Sequence, residues 1–202
     1  MSKKAISVYM AATCAIGIVS PGRFVCGLVI AVEIFMLMIL GDLFRSLLKV
    51  LKLEKIQQVL LLVFVVYITG MVKLILTFIM PELALQMGFL LFLPAISTFT
   101  TVFLIAEDNL TLKNRLASDF PAALLFASYM LFVSLLRDFF GYGTISLPNV
   151  GRPIEIVLFN PESVSAMTFL ATIPGALILT SLLLALFLFI ENKIHILQKV
   201  GL

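Results

Sequence analysis

The sequence is poor in everything a soluble enzyme uses. It has no Trp, one His, two Cys and only 12% charged residues, against 62% hydrophobic. A soluble domain carries roughly twice that charge and arranges its apolar residues in periodic stripes. No Gly-rich phosphate loop, zinc-spaced Cys/His set or nucleophile elbow is present, so nucleotide, zinc and serine-hydrolase chemistry have no foothold. Two Cys twelve residues apart make no disulfide framework, and Cys26, followed by Gly27 in an apolar run, reads as a small core hydrophobe. The lone His195 lies in "ENKIHILQK", a polar tail where solvation is expected.

What is there comes in apolar blocks, with a mean hydropathy of +1.19. About 20 apolar residues cross roughly 30 Å of hydrocarbon. Phe24–Leu43, Ile56–Met80, Leu83–Ala106 and Ser165–Ile190 meet that length. Pro121–Leu136, extendable through Phe140, is a shorter fifth, and Ala5–Val19 a truncated sixth. The sixth breaks at "SPGR" (Ser20–Arg23), because Pro21 lacks an N–H and Gly22 tolerates irregular dihedrals. Lys3 and Lys4 before a short apolar run also fit a signal peptide, but another span follows within a few residues, which favours a helix of the mature chain. The expectation is an all-α integral membrane protein with six transmembrane segments, a single domain over residues 1–202, and no nucleic-acid partner.

Charge orients it. With a cytoplasmic N-terminus and six passes, Lys3, Lys4, Arg45, Lys49, Lys52, Lys55, Lys113, Arg115, Lys193 and Lys199 fall inside. Arg23, Arg137 and Arg152 fall outside. Lys and Arg are retained on the cytosolic side during insertion, so both termini are expected in the cytoplasm. "GYGTISLPNVGRPIEIVLFNPE" (Gly141–Glu162) reads as an ordered outer loop. Ala106–Pro121 reads as a cytoplasmic loop, with Asp119 capping a helix entered through Pro121.

Each half of the chain places a short or interrupted helix before a full helix ending near an Arg, then another long helix. The halves run over about 1–80 and 81–202, and three spans per half make the second inverted relative to the first. Inverted three-plus-three repeats with broken helices at the centre are a common transporter design. Two ionisable residues lie within spans, Glu33 and Lys73. Such residues mark an ion path or an intramembrane pair; pairing, or Lys73 snorkelling outward, is the favoured expectation. Arg137 and Asp138 read as an interfacial helix terminus before a Gly turn.

Four segments carry a family resemblance. "CAIGIVSPGRFVCGLVIAVEIFMLMILGDLFRSLLK" (Cys14–Lys49), "PELALQMGFLLFLP" (Pro81–Pro94), "SLLRDFFGYGTISL" (Ser134–Leu147) and "LATIPGALILTSLLL" (Leu170–Leu184) follow one another in the order seen in the Rnf/Nqr membrane subunits. The chain resembles a membrane subunit of the sodium-pumping NADH:quinone oxidoreductase and its counterpart in the Rnf complex. The resemblance implies a multi-pass subunit of the bacterial inner membrane. It implies assistance to transmembrane electron transfer coupled to Na⁺ or H⁺ translocation, without catalysis by this chain alone. It also implies an inverted paralogous subunit as partner, flavin- and ferredoxin-like redox subunits nearby, and a 2Fe-2S cluster shared with the partner. Cys14 falls on the first ligand position. Where the family has its second cysteine, this chain has Thr98 (Thr100 in another register), and a neutral hydroxyl is a poor substitute for thiolate. The alternatives are a small-molecule permease subunit of similar length, or a structural subunit without cofactor.

Overall fold

The computed structural model describes residues 15–97, 112–159 and 168–200. The chain enters as a helix over residues 15–19, bends at Ser20 and is non-helical through Arg23. A new helix, α1, then runs Phe24–Val50. The break therefore falls where Pro21 and Gly22 put it. Ser20 N–H closes the last turn on Ile16 O at 2.9 Å, and Arg23 sits extended at the head of α1 without any side-chain cap of its own. Gly17 and Gly27 both lie across from Met130. The entry segment and α1 are thus two limbs of a reversal rather than parts of one interrupted rod.

The described residues are mostly helical, and three helices are long and apolar enough to cross a membrane: α1, α2 (Gln57–Ile79) and α5, whose helix Leu112–Arg137 continues as a π-helical turn to Tyr142. Two expected boundaries are corrected. Leu83–Ala106 is not one continuous span in its described part. It breaks into α3 (Pro81–Met87), a 3₁₀ stretch Gly88–Phe92 and a single turn α4 (Leu93–Ile96). Gly88, at φ +49°, leaves the helical region, and Ser97 turns extended behind Pro94.

The second correction is at Pro121, which lies inside α5 instead of opening it. The expected loop is helical from Leu112 onward, and Asp119 is no cap but an i,i+4 partner of Arg115 at 4.0 Å. The last helix, α6, runs Ile173–Val200 behind a 3₁₀ turn Thr168–Ala171. Thr172 caps it, its hydroxyl accepting from Gly175 N–H at 3.4 Å.

One core cluster joins Ile16 of the entry segment to Val25, Cys26, Ile30, Ile34 and Met38 of α1. Ala123, Phe126 and Met130 of α5, with Leu83, Met87 and Leu91, complete it. A second cluster sets Leu37 and Leu48 against Leu61 and Val65 of α2 and Ala95 of α4. In a membrane the drive to pack is van der Waals contact and interhelical polar bonding, and small residues let backbones approach. Gly27 serves that role: a Cβ there meets the Ser134 side chain of α5.

Of the expected loop Gly141–Glu162, residues 141–159 are described. Gly143 takes a left-handed conformation, and the chain then forms an antiparallel hairpin, β1 (Thr144–Leu147) with β2 (Ile154–Val157), Ser146 facing Glu155. Gly151 N–H donates to Ile79 O at 2.9 Å, tying the hairpin tip to the far end of α2. Lys52, at the α1–α2 turn, lies at the other end of α2, about 35 Å away along the helix. Single cysteines at Lys52 and Asn149 are therefore expected to react with an impermeant maleimide from opposite sides of a sealed membrane. Labelling of both from one side would contradict this arrangement.

Candidate functional site

The reversal at Ser20–Arg23 leaves helix ends without intrahelical partners on both limbs: carbonyls on the entry segment, amides on α1. Neighbouring residues at the end of α5 supply both sets. Arg137 donates through one guanidinium nitrogen to Gly17 O at 2.8 Å and Ser20 O at 2.7 Å. Through the other it donates to Ala171 O at 3.1 Å, just before α6. Asp138 accepts from the Phe24 amide at 3.0 Å. It also takes the Ser146 amide at 2.7 Å, the Ser146 hydroxyl at 2.6 Å and the Thr144 hydroxyl at 2.9 Å. The cation meets a helix C-terminus and the anion a helix N-terminus, each the favourable sense of the helix dipole.

Both residues are buried, Arg137 at 2% exposure and Asp138 at 0%. The helix does end there, ahead of the Gly143 turn, and its terminus is enclosed because the reversal, the hairpin and the approach to α6 close over it. Gly22 lets Arg137 pass, since a Cβ there would stand 3.2 Å from the guanidinium Nε.

Around this centre lies an outer ring. Arg23 pairs with Glu155 at 2.8 Å, stands 4.3 Å from the centre of the Tyr142 ring and reaches the Thr144 hydroxyl at 3.4 Å. Two open clefts, each of about 350 Å³, flank the Arg23–Glu155 pair. One is walled by Glu82, Gln86 and Pro153, the other by Tyr142, Thr168 and Ala171.

Of the residues singled out in the sequence, Cys14 and Thr98 lie outside the described residues, as does Thr100. Cys26 is a free thiol with no exposure, packed in the first core cluster. Among the described residues no three His, Cys, Asp or Glu side chains gather to hold a metal. The donors this chain offers at the family's two positions, one thiol and one hydroxyl, do not fit a pair of thiolate ligands.

The Glu33–Lys73 pair is not formed. Lys73 is half-buried, its ammonium 5.7 Å from the centre of the Phe92 ring. Glu33 is completely buried, and both its carboxyl oxygens lack a hydrogen-bond partner among the described residues. Thr69 of α2, not Lys73, is the polar residue close enough to act on it, though outside hydrogen-bond geometry. A separate ionic cluster occupies the opposite end of the α1–α5 pair, where Arg115 approaches Asp42 at 3.7 Å.

The double cap of Arg137 and Asp138 was missed from the sequence as a site. Its only signal is an adjacent Arg and Asp closing an apolar helix, and their partners at the reversal, Gly17, Ser20 and Phe24, lie more than a hundred residues upstream. Comparison of the chain with protein-family models, with curated proteins and with solved structures finds no match.

Proposed function

We propose that the chain is an integral membrane subunit of an Rnf/Nqr-type electron transport complex, assisting electron transfer coupled to Na⁺ or H⁺ translocation. The observation that carries this reading is the convergence of the resembling segments on one centre. Arg137 and Asp138, from the Ser134–Leu147 segment, cap both limbs of the Cys14–Lys49 segment. Ala171, from the Leu170–Leu184 segment, supplies the third acceptor. The Pro81–Pro94 segment contributes Leu83, Met87 and Leu91 to the core beneath. Segments that are only similar in kind and order along the chain become parts of one mutually dependent unit in space.

On this reading the entry segment, the 81–97 segment and α6 complete six passes as an inverted three-plus-three arrangement in a bacterial inner membrane. Arg45, Lys49, Lys52, Lys55, Lys113 and Arg115 all belong to the end opposite the hairpin, whereas Arg23 and Arg152 sit beside it, in keeping with a cytoplasmic face at the α1–α2 turn. The family's cluster chemistry is not carried over, since the donor set does not fit. The role assigned to this chain is to hold the helix reversal and the outer hairpin rigid against its partner subunits.

Purification of the tagged chain from its native membrane in mild detergent tests this. The expected result is co-purification of flavin-bearing and ferredoxin-like subunits with a second six-pass subunit. Recovery alone, or with an ATP-hydrolysing module and a bound metabolite, would overturn it in favour of a permease.

A further inference from the structure

We propose that the Glu33 carboxyl, with the Thr69 hydroxyl opposite it, forms a mid-membrane proton-binding site between α1 and α2. Glu33 lies nine residues into α1, about 14 Å along the helix axis from Phe24, near the middle of a hydrocarbon layer of roughly 30 Å. It is fully buried, Thr69 is fully buried, and neither the two carboxyl oxygens nor the hydroxyl has a hydrogen-bond partner among the described residues. One turn further along, Leu37 and Val65 are buried in one apolar cluster.

An ionised carboxylate in such a place needs a counter-charge, and among the described residues the packed elements bring none. On α2 the nearest cation is Lys73, turned over the Phe92 ring. On α5, Arg115 and Asp119 act at the Asp42 end of α1, while Arg137 and Asp138 are engaged at the reversal. The 81–97 segment carries one titratable group, Glu82, which faces Arg152 at the outer end. The described entry segment, residues 15–19, carries none.

A metal cation fits no better. Hard cations take six or more oxygen ligands, whereas one carboxyl and one hydroxyl are what these helices present, their backbone carbonyls being bonded within the helices. A proton needs a single oxygen. It converts the group into a neutral acid that can also donate to Thr69 after a small side-chain rotation. Burial without partners, which is costly for the anion, is tolerable for that neutral form. The site stands on α1 and α2 alone and does not rest on membership of a complex.

The test is made on the full chain in lipid nanodiscs with dicyclohexylcarbodiimide, which adds to a protonated carboxyl in apolar surroundings and leaves a stable acylurea. The adduct is expected on the Glu33 peptide and absent from Glu33→Gln. It should fall about tenfold for each pH unit beyond the transition, and Na⁺ at fixed pH should leave it unchanged. Protection by Na⁺ would make this a metal-cation site and overturn the proposal. Infrared difference spectra of wild type against Glu33→Gln give a readout independent of reagent access. A protonated-carboxyl band that shifts in D₂O is expected, and its absence would overturn the proposal whatever the labelling shows.

Discussion

Arg137→Ala is expected to cost about 3–5 kcal/mol of stability, since it removes a buried charged donor from three backbone carbonyls. Three carbonyls lose the guanidinium at once, Gly17 O, Ser20 O and Ala171 O, and Gly17 O keeps only the Ser20 hydroxyl at 3.2 Å. Asp138 keeps its carboxylate beside them, fully buried, with the adjacent cation gone. Arg137→Lys should recover little, because a point-charge ammonium cannot hold three acceptors in the directions a planar guanidinium reaches. Asp138→Asn should also be destabilising. With its amide oxygen on the Phe24 and Ser146 amides, its nitrogen meets the Thr144 hydroxyl, which now donates to the carboxylate and already accepts from Arg23. The charge that strengthens these bonds is lost as well. Denaturation in mixed micelles measures the loss. A cysteine at Ser20 reports whether it is the reversal that opens, by a rise in thiol reactivity. Arg152→Ala is the control: that residue is 88% exposed and pairs with Glu82 at 3.4 Å on the surface, so its removal should leave the transition unchanged. If Arg137→Ala behaves like Arg152→Ala, the double cap is not what holds the fold.

Features set by local chemistry were legible in the chain before its structure. The break at Ser20–Arg23 follows from Pro21 and Gly22, and the non-helical run from Gly143 to Pro153 from its Gly and Pro punctuation, whereas the antiparallel pairing of β1 with β2 within it was not legible in an all-α reading. Helix ends inside apolar runs were not. Pro121 reads as a helix start, yet tertiary packing carries the helix through it: Ala123 and Phe126 beyond the proline and Arg115 before it are all buried. Conversely, Leu83–Ala106 reads as one span because its composition is uniformly apolar. Gly88 and Pro94 interrupt it, and that same uniformity conceals how strongly two residues can act.

Helical phase between separate helices was equally invisible. Glu33 and Lys73 each stand out as charges in apolar sequence, and pairing them is the economical guess. Which residue of α2 faces Glu33 depends on how α2 is rotated and how far it slides along α1. The packing of Leu37 with Val65 sets both, and it presents Thr69 instead of Lys73. The Arg137–Asp138 site was illegible for a related reason. Its contacts to the reversal join residues 114 to 120 positions apart, and only the folded chain shows that this helix terminus is enclosed.

Gly27→Ala is expected to lose about 1–3 kcal/mol, the cost of forcing an extra carbon into a filled interface. The added Cβ would overlap the Ser134 Cβ and Oγ on α5 and can move away from neither without separating the two helices. Ser134 itself is buried at 1% exposure and its hydroxyl has no hydrogen-bond partner among the described residues. Ser134→Ala should therefore be close to neutral, since it removes a polar atom whose burial no bond offsets. That makes a discriminating cycle available. Gly27→Ala combined with Ser134→Ala should remain destabilised, because the Cβ on α5 is still there. Combined with Ser134→Gly, the new methyl group has a space to enter. The double variant should then recover about 1–2 kcal/mol relative to the sum of its single changes, within the range that contacting residues show; the roughly 1 kcal/mol that a helical glycine costs is already contained in Ser134→Gly alone. Unfolding free energies of the three single and two double variants give the coupling. Strict additivity would mean that α1 and α5 do not meet at Gly27 and Ser134, and the close approach that seats Arg137 and Asp138 beneath the reversal would then need another origin.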